Sequence, residues 1–195
     1  MTAIATPVVV PERVPTHWST TATANTRIRR AAVEAVLLVV LVVGGGLLAW
    51  GGGFAHNMVH DQLTSQQIRF PAKGTPALDA KEFPGLQRYA GQLVNSGPKA
   101  KAYANEFIGA HLNAVAGGQT YSQVATAAQA DPTNAKLTAQ KATLFQGETL
   151  RGLLLYAWGW SVVGMIASIV SYGAFAGGLV VLLALVFGLR RPQQS

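Results

Sequence analysis

Two histidines in the segment HNMVHDQ, His56 and His60, have the spacing that most directly suggests chemistry in this chain. Residues four positions apart lie one turn apart on the same face of a helix, so both imidazoles can bind one metal ion. We therefore consider a zinc or copper site with a third ligand from another predicted helix, for which His111 is the leading candidate. Glu106 and Glu148 on other predicted helices, and Asp61 beside His60, are the alternatives. The segment is not an HExxH motif, because Asn57 stands where that motif has its general-base glutamate. The alternative is structural: an interfacial pair at His56 and His60, and a packed side chain at His111.

Other catalytic or cofactor-binding patterns are missing from the sequence. It has no Gly-x-Ser-x-Gly motif, no glycine-rich loop after a strand and no cysteine, which excludes disulfides, cysteine-ligated metal centres and c-type haem attachment. Much of the formal net charge of +7 sits beside apolar segments, and no basic face carries interleaved aromatic residues. We accordingly expect no catalytic residue, no nucleic-acid partner, and no cofactor beyond the zinc or copper considered above.

Two long apolar segments must position these residues. The first, residues 31–54, contains one charge, Glu34, which is placed to pair with Arg30 one helical turn earlier. The second, residues 152–189, carries no charged side chain. Because about 20 apolar residues span the hydrocarbon of a bilayer, both segments predict transmembrane helices. The second is longer than one span requires, so we expect its first part, to about Trp160, to form an interfacial turn or two.

Clusters of arginine mark both ends of the membrane region as cytoplasmic by the positive-inside rule. We therefore predict a plasma-membrane protein with a disordered cytoplasmic tail at 1–30, an extracytoplasmic helical domain at 55–151 and a short cytoplasmic tail at 190–195. A cleaved signal peptide that ends before His56 is the alternative for the first apolar segment. The long leader and the long apolar core favour an uncleaved anchor.

Small residues recur at helical spacing in both apolar segments. In lipid, such residues let two helix backbones approach closely, and this contact offsets the roughly 1 kcal/mol that each glycine costs a helix. We expect these positions to pack helices together within one protomer and between protomers. They are Gly45, Ala49 and Gly53 in the first segment and Gly164, Ser168, Gly173 and Gly177 in the second.

Boundary signals divide the region between the two spans into short helices. The first apolar helix should continue past the histidines and stop before Pro71, because the residue before a proline is disfavoured in a helix. From Asn134 onward no breaker interrupts the pattern, which predicts one long helix into the bilayer. Further helices are predicted at 84–94, at 98–116 and after a capping box formed by Thr120 and Gln123.

Three segments carry a resemblance to known proteins: FPAKG at 70–74, AGGQTYSQV at 116–124 and LFQGETLRGLLLYAW at 144–158. They resemble an uncharacterised family of small actinobacterial two-span membrane proteins, and the resemblance covers most of residues 55–160. Some members carry a ring-opening dioxygenase name, which we discount because nothing here supplies a recognisable ferrous-iron site beyond the histidine pair. The resemblance implies a membrane location and an actinobacterial source, and it assigns no catalytic residue.

The sequence as a whole predicts an all-α membrane protein in which two transmembrane helices bracket a small extracytoplasmic helical domain. The leading functional hypothesis is a non-enzymatic interaction or scaffold protein, acting in a homo-oligomer or as an accessory subunit of a larger membrane complex. Two alternatives stay open. One is a zinc- or copper-dependent function at the histidines, and the other is a sensor whose outer domain binds a ligand and signals through a partner.

Overall fold

The computed structural model describes residues 17–190, with side chains from 25 to 188, and this part of the chain is helical apart from turns and one isolated antiparallel bridge. Two long helices, α1 (His17–Ser65) and α5 (Ala135–Arg190), begin and end it. We call the intervening residues 66–134 the helical head. Its elements are α2 (Gly97–Ala102), a π-helical turn (Tyr103–Ile108), α3 (Gly109–Ala116), α4 (Tyr121–Ala130) and the 3-10 turns Pro76–Leu78 and Pro84–Tyr89.

Helix α1 begins earlier than the composition of the N-terminal region predicts. The proline- and threonine-rich sequence predicts a disordered tail through residue 30, whereas the helix is already formed at His17. Once an apolar helix exists, each further residue adds one hydrogen bond, so the alanines and threonines beside it can extend it at little cost. Residues 1–16 of the predicted first tail and residues 191–195 of the second lie outside the described residues.

Helix α1 ends where the proline signal predicts. Its last residue is Ser65, and Gln67 adopts a left-handed backbone conformation with φ 53°. The chain then pairs briefly with a later segment of the head, where the Val94 N–H donates to the Ile68 carbonyl at 2.8 Å. This pairing is too short to leave an alternating strand pattern in the sequence.

The short helices of the head follow their boundary signals with two differences. The predicted helix at 98–116 forms as α2, the π-helical turn and α3 in succession, and the predicted helix at 84–94 forms only as a 3-10 turn. Gly117 ends α3 with φ 59°, a conformation that glycine adopts without steric cost. The capping box forms: the Gln123 N–H donates to Thr120 Oγ1 at 3.3 Å, and the Thr120 N–H donates to Gln123 Oε1 at 2.8 Å.

Helix α5 runs unbroken from the head into the second apolar segment, as predicted. Asn134 caps its start, because its Oδ1 accepts a hydrogen bond from the Leu137 N–H at 3.2 Å. Both α1 and α5 are long and apolar enough to cross a membrane. Only 6% and 11% of their most apolar windows are buried inside the protein, whereas the core helix of a soluble protein would be mostly covered.

The described chain divides into two compact units, and the larger, Gly44–Ala174, holds the hydrophobic core. Helix α1 contributes Val59 and Leu63 to this core, and α5 contributes Leu144 and Leu154. Because both long helices enter one cluster with the head, the head is built onto them and is not joined through a linker. Its own buried members include Phe70, Leu78, Phe83, Leu86, Val94, Ala100, Ala104, Ile108, Leu112 and Val124.

The smaller unit consists of the remaining parts of α1 and α5. Its predicted ion pair forms, with Arg30 Nε donating to Glu34 Oε1 at 2.7 Å. On α5, Gly177 and Gly178 lie beside α1, and a side-chain carbon added at either glycine would lie 3.7 Å from Leu41. This is ordinary van der Waals contact, so small residues in this unit leave room for the leucine side chain of the facing helix.

Candidate functional site

His56 and His60 lie one turn apart on α1, as their spacing predicts, and both line the same cavity in the larger unit. The His60 side chain is 49% exposed, and its Nδ1 lies 3.2 Å from Oδ1 of Asp61. The carboxylate of Asp61 is itself 79% exposed. The histidine pair is therefore held at a surface that a ligand can reach.

His111 occupies a different environment on α3. Its ring centroid lies 4.5 Å from that of Phe107 and 5.8 Å from that of Phe83, to which it is nearly parallel at 4°. Its Nδ1 lies 2.8 Å from the Phe107 carbonyl oxygen, so it donates this hydrogen bond in the tautomer that carries the proton on Nδ1. Packing therefore fixes this ring, and His111 does not line the cavity beside the other two histidines.

The described residues contain no group of three or more histidine, aspartate or glutamate side chains placed to hold a metal ion. Zinc sites in proteins ordinarily have at least three protein ligands in a compact arrangement. A metal ion held by His56 and His60 would therefore need a further ligand that is not one of the described histidine, aspartate or glutamate side chains. The zinc or copper site at His56, His60 and His111 stays a prediction.

The cavity beside the histidine pair has a volume of about 360 Å³ and is lined from three sides. Helix α1 supplies the two histidines, and the head supplies the amide of Asn95 and the hydroxyl of Ser96. Helix α5 supplies the indole of Trp158, the Ser161 hydroxyl and, further along the helix, the apolar side chains of Val162 and Met165. The cavity therefore offers both hydrogen-bonding groups and apolar surface.

Two lysines of α2 make non-covalent contacts with side chains that line this cavity. Lys101 Nζ lies 4.4 Å from the centre of the Trp158 ring, within the range of a cation–π interaction. Lys99 Nζ donates to Asn95 Oδ1 at 3.0 Å. None of the described side chains that line the cavity is acidic. The Asp61 carboxylate contacts His60 in the same way, so the rim carries two lysines and one carboxylate and is basic in sum.

A second cavity of about 320 Å³ lies between α1 and α5 in the same unit. Its described lining is mainly apolar and aromatic, with two glutamines and without a charged side chain among those residues. It suits an aliphatic occupant more than a polar one. The side chains that define it include Met58, Gln62, Leu63, Leu153, Tyr156 and Trp160.

Arg151 ties α5 to the π-helical turn of the head. Its Nη2 donates to Asn105 Oδ1 at 3.3 Å, and its Nη1 donates to Glu148 Oε2 at 3.4 Å. Its Nε is buried without a hydrogen-bond partner. A π-helical turn inside an α-helix often marks a functional or strained position, and this one presents Asn105 to the guanidinium. The contact positions the head at the last charged residue before the apolar part of α5.

Gly52 lies at a close approach of α1 to α5 in the larger unit. A methyl group there would collide with the hydroxyl of Ser168 and lie 2.9 Å from the Gly164 carbonyl oxygen. Gly164 in turn faces Ala55, whose Cβ would be 3.0 Å from an added methyl group. Gly164 and Ser168, two of the predicted packing residues, therefore lie in the contact between the helices.

The other predicted packing positions differ in exposure within a single chain. Gly45 is buried and Ala49 is exposed. Among the described residues, no atom lies within 4 Å of a methyl group added at Gly53 or Gly173. The face of α1 that carries Ala49 and Gly53 is therefore not covered by the rest of the described chain. Packing between protomers at these positions stays a prediction.

Sequence reasoning did not find the cavity residues outside α1. Asn95 and Ser96 belong to the segment NSGP, and this pattern predicts only a break between two helices. The structure explains the glycine that begins α2: a methyl group at Gly97 would collide with the Ser161 side chain, so only glycine lets this segment rest on α5. Nothing local in the sequence pairs residue 97 with residue 161.

Comparisons with protein-family models, with curated proteins and with solved structures gave no match to this chain. The resemblance to the actinobacterial membrane proteins therefore stays a prediction.

Proposed function

We propose that this chain is a non-enzymatic integral membrane protein that works as a scaffold or accessory subunit. In this proposal α1 and α5 span the plasma membrane and the helical head lies on the extracytoplasmic side. The observation that carries it is the shared core: two apolar and little-buried helices enter one hydrophobic cluster with the head. A head that shares its core with Val59 and Leu63 of α1 and with Leu144 and Leu154 of α5 suits a protein that aligns other membrane subunits.

Contacts between α1 and α5 support a position for the outer face of the membrane along these two helices. Gly52 and Ala55, at the end of the apolar run of α1, face Gly164 of α5. From this level, residues 31–54 supply about 36 Å of helix and residues 164–188 about 37 Å, at about 1.5 Å per residue. Both lengths cross roughly 30 Å of hydrocarbon with some tilt. The aromatic residues of α5 just before Gly164 then lie at headgroup level, where tryptophan and tyrosine are enriched.

The distribution of arginines supports the orientation of the spans. Arg27, Arg29 and Arg30 precede the apolar part of α1, and Arg190 and Arg191 follow that of α5. The positive-inside rule assigns both groups to the cytoplasm, and two spans satisfy that requirement. The head is then extracytoplasmic.

A second copy of this chain is the partner that the uncovered face of α1 fits best. Ala49 is exposed and Gly53 faces open space, so a second helix backbone can approach closely along this line. Close contact of this kind, not apolar burial, is what holds helices together in lipid.

Single cysteines test the proposed assembly, because the chain has none of its own. In native membranes, Ala49→Cys should give disulfide-linked dimers on oxidation. Leu47→Cys is the matched control, because Leu47 is 66% exposed at the same depth but lies on nearly the opposite side of α1. It should give few dimers. Native mass spectrometry of gently extracted protein should then show a defined oligomer or a stoichiometric foreign subunit.

Two results together would overturn this proposal. One is equal cross-linking of Ala49→Cys and Leu47→Cys, which would indicate random collisions in the membrane. The other is a lone monomer in native mass spectrometry, without any other subunit. A monomer with a measurable turnover of a small substrate would also contradict the non-enzymatic assignment.

A further inference from the structure

The cavity beside the histidine pair crosses the proposed outer face of the membrane. His56 lies at the level of Gly164, because a methyl group on that glycine would be 3.6 Å from the His56 backbone nitrogen. Met165, which lines the cavity, follows Gly164 in the direction of the bilayer, whereas Asn95 belongs to the head. A ligand that fills the cavity must be polar toward the head and apolar toward the bilayer.

The charges around the polar side favour an anion. Lys101 is held over the indole of Trp158 at 4.4 Å, and Lys99 donates to Asn95 at 3.0 Å. Ammonium, imidazole and hydroxyl donors are the groups that bind phosphate in proteins. The carboxylate of Asp61 does not line the cavity, and with 79% exposure it is largely screened by solvent.

We propose that this cavity binds an anionic phospholipid of the surrounding membrane. The phosphate would lie among Lys101, His60 and Ser96, and the first part of an acyl chain would lie along Val162 and Met165. The volume of about 360 Å³ is within the range of small-molecule sites and accommodates a headgroup with a few methylene groups. This inference rests on the membrane placement proposed above. A lipid bound there fixes the head against the membrane surface.

Lipid titration of delipidated protein, followed by native mass spectrometry, tests this site. Phosphatidylglycerol should bind more tightly than phosphatidylcholine with the same acyl chains. Lys101→Ala should lower the affinity for phosphatidylglycerol about tenfold, the effect of losing one charge-assisted contact to phosphate. Lys136→Ala is the matched control, because it removes the same charge from an exposed position at the start of α5. It should change the affinity less than about twofold.

His60→Ala is a second variant that leaves the hydrophobic core intact, because its side chain is half exposed. It should weaken phosphatidylglycerol binding without changing the melting temperature. Equal losses in Lys101→Ala and Lys136→Ala, or equal affinities for the two lipids, would overturn the proposal. Displacement of the lipid by an equal concentration of inorganic phosphate would show that the site recognises free phosphate, and the lipid assignment would then be wrong.

Alkaline extraction of membranes separates the failure of this inference from that of the proposed function. A chain that is released from the membrane at alkaline pH is not integral, and both proposals then fail. A chain that stays in the membrane but shows no preference for phosphatidylglycerol keeps the membrane placement and loses the lipid site.

Discussion

The imidazole of His111 has a packing role that a single substitution can measure. It stacks on Phe83, lies tilted against Phe107 and donates a hydrogen bond to a backbone carbonyl. Because the residue is exposed, we expect His111→Ala to lower the free energy of unfolding by about 1 kcal/mol, the contribution of one aromatic contact or one hydrogen bond. Denaturant titration followed by circular dichroism would measure this change.

The metal content of the wild type and of the His56→Ala, His60→Ala and His111→Ala variants tests whether these histidines bind zinc or copper. His56→Ala is the matched control for stability, because His56 faces the cavity, and its unfolding free energy should stay within about 0.5 kcal/mol of the wild type. Elemental analysis would give the zinc and copper content of each variant. One metal per chain, lost in both His60→Ala and His111→Ala, would show that these histidines are ligands and that packing does not explain His111.

Adjacent glycines on α1 should respond in opposite ways to the same substitution. Gly52→Ala places a methyl group against Ser168 and the Gly164 carbonyl, so the helices must separate at a cost of about 1–3 kcal/mol. Gly51→Ala enters space that the described residues leave open, on a side of α1 away from Ala49 and Gly53, and gains up to about 1 kcal/mol of helix propensity. Thermal unfolding in detergent should therefore show a melting temperature several degrees lower for Gly52→Ala and an unchanged or higher one for Gly51→Ala. A Gly52→Ala protein as stable as the wild type would mean that α1 and α5 do not pack at this position.

Local causes made most element boundaries predictable. The capping box at Thr120, the stop before Pro71 and the unbroken start of α5 at Asn134 each depend on a few neighbouring residues. The start of α1 at His17 was not predictable in this way, because it depends on extension from an apolar helix that is already formed.

Contacts between elements are much harder to predict from the sequence than the boundaries of the elements. Asn105 of the π-helical turn meets Arg151, and the two residues are 46 positions apart, so no periodicity in either segment pairs them. The glycine pattern predicted packing at Gly45, Ala49 and Gly53 of α1, but the run Gly51–Gly53 places a small residue on three successive faces. Only the partner helix decides that Gly52 makes the contact within the chain.

The whole molecule is constrained by the continuity of its two long helices. Each helix carries one apolar stretch long enough to cross a membrane, so the two ends of the chain belong on the same side if both cross once. The head, whose core includes residues of both α1 and α5, then lies on the other side. Sidedness is therefore the property on which the membrane placement depends most directly.

Labelling of single cysteines tests this sidedness in intact cells. Ser122→Cys, at an exposed position of α4, should react with a membrane-impermeant maleimide. Thr21→Cys, which precedes the arginines at the start of the first span, should react only after the membrane is permeabilised. Labelling of Thr21→Cys in intact cells would show that the orientation is the reverse of the proposed one or that one of the two helices does not cross the membrane.

Intact mass measured on the labelled protein also distinguishes an uncleaved anchor from a cleaved leader. If the chain were cut before His56, the mature protein would lose the cysteine at position 21 together with the half of α1 that carries Gly52. The contact of Gly52 and Ala55 with Gly164 would then be lost, and Val59 and Leu63 would join the core from a frayed helix end. Because the core depends on both long helices, we expect the full-length mass, and Thr21→Cys and Ser122→Cys should each be recovered in one intact chain.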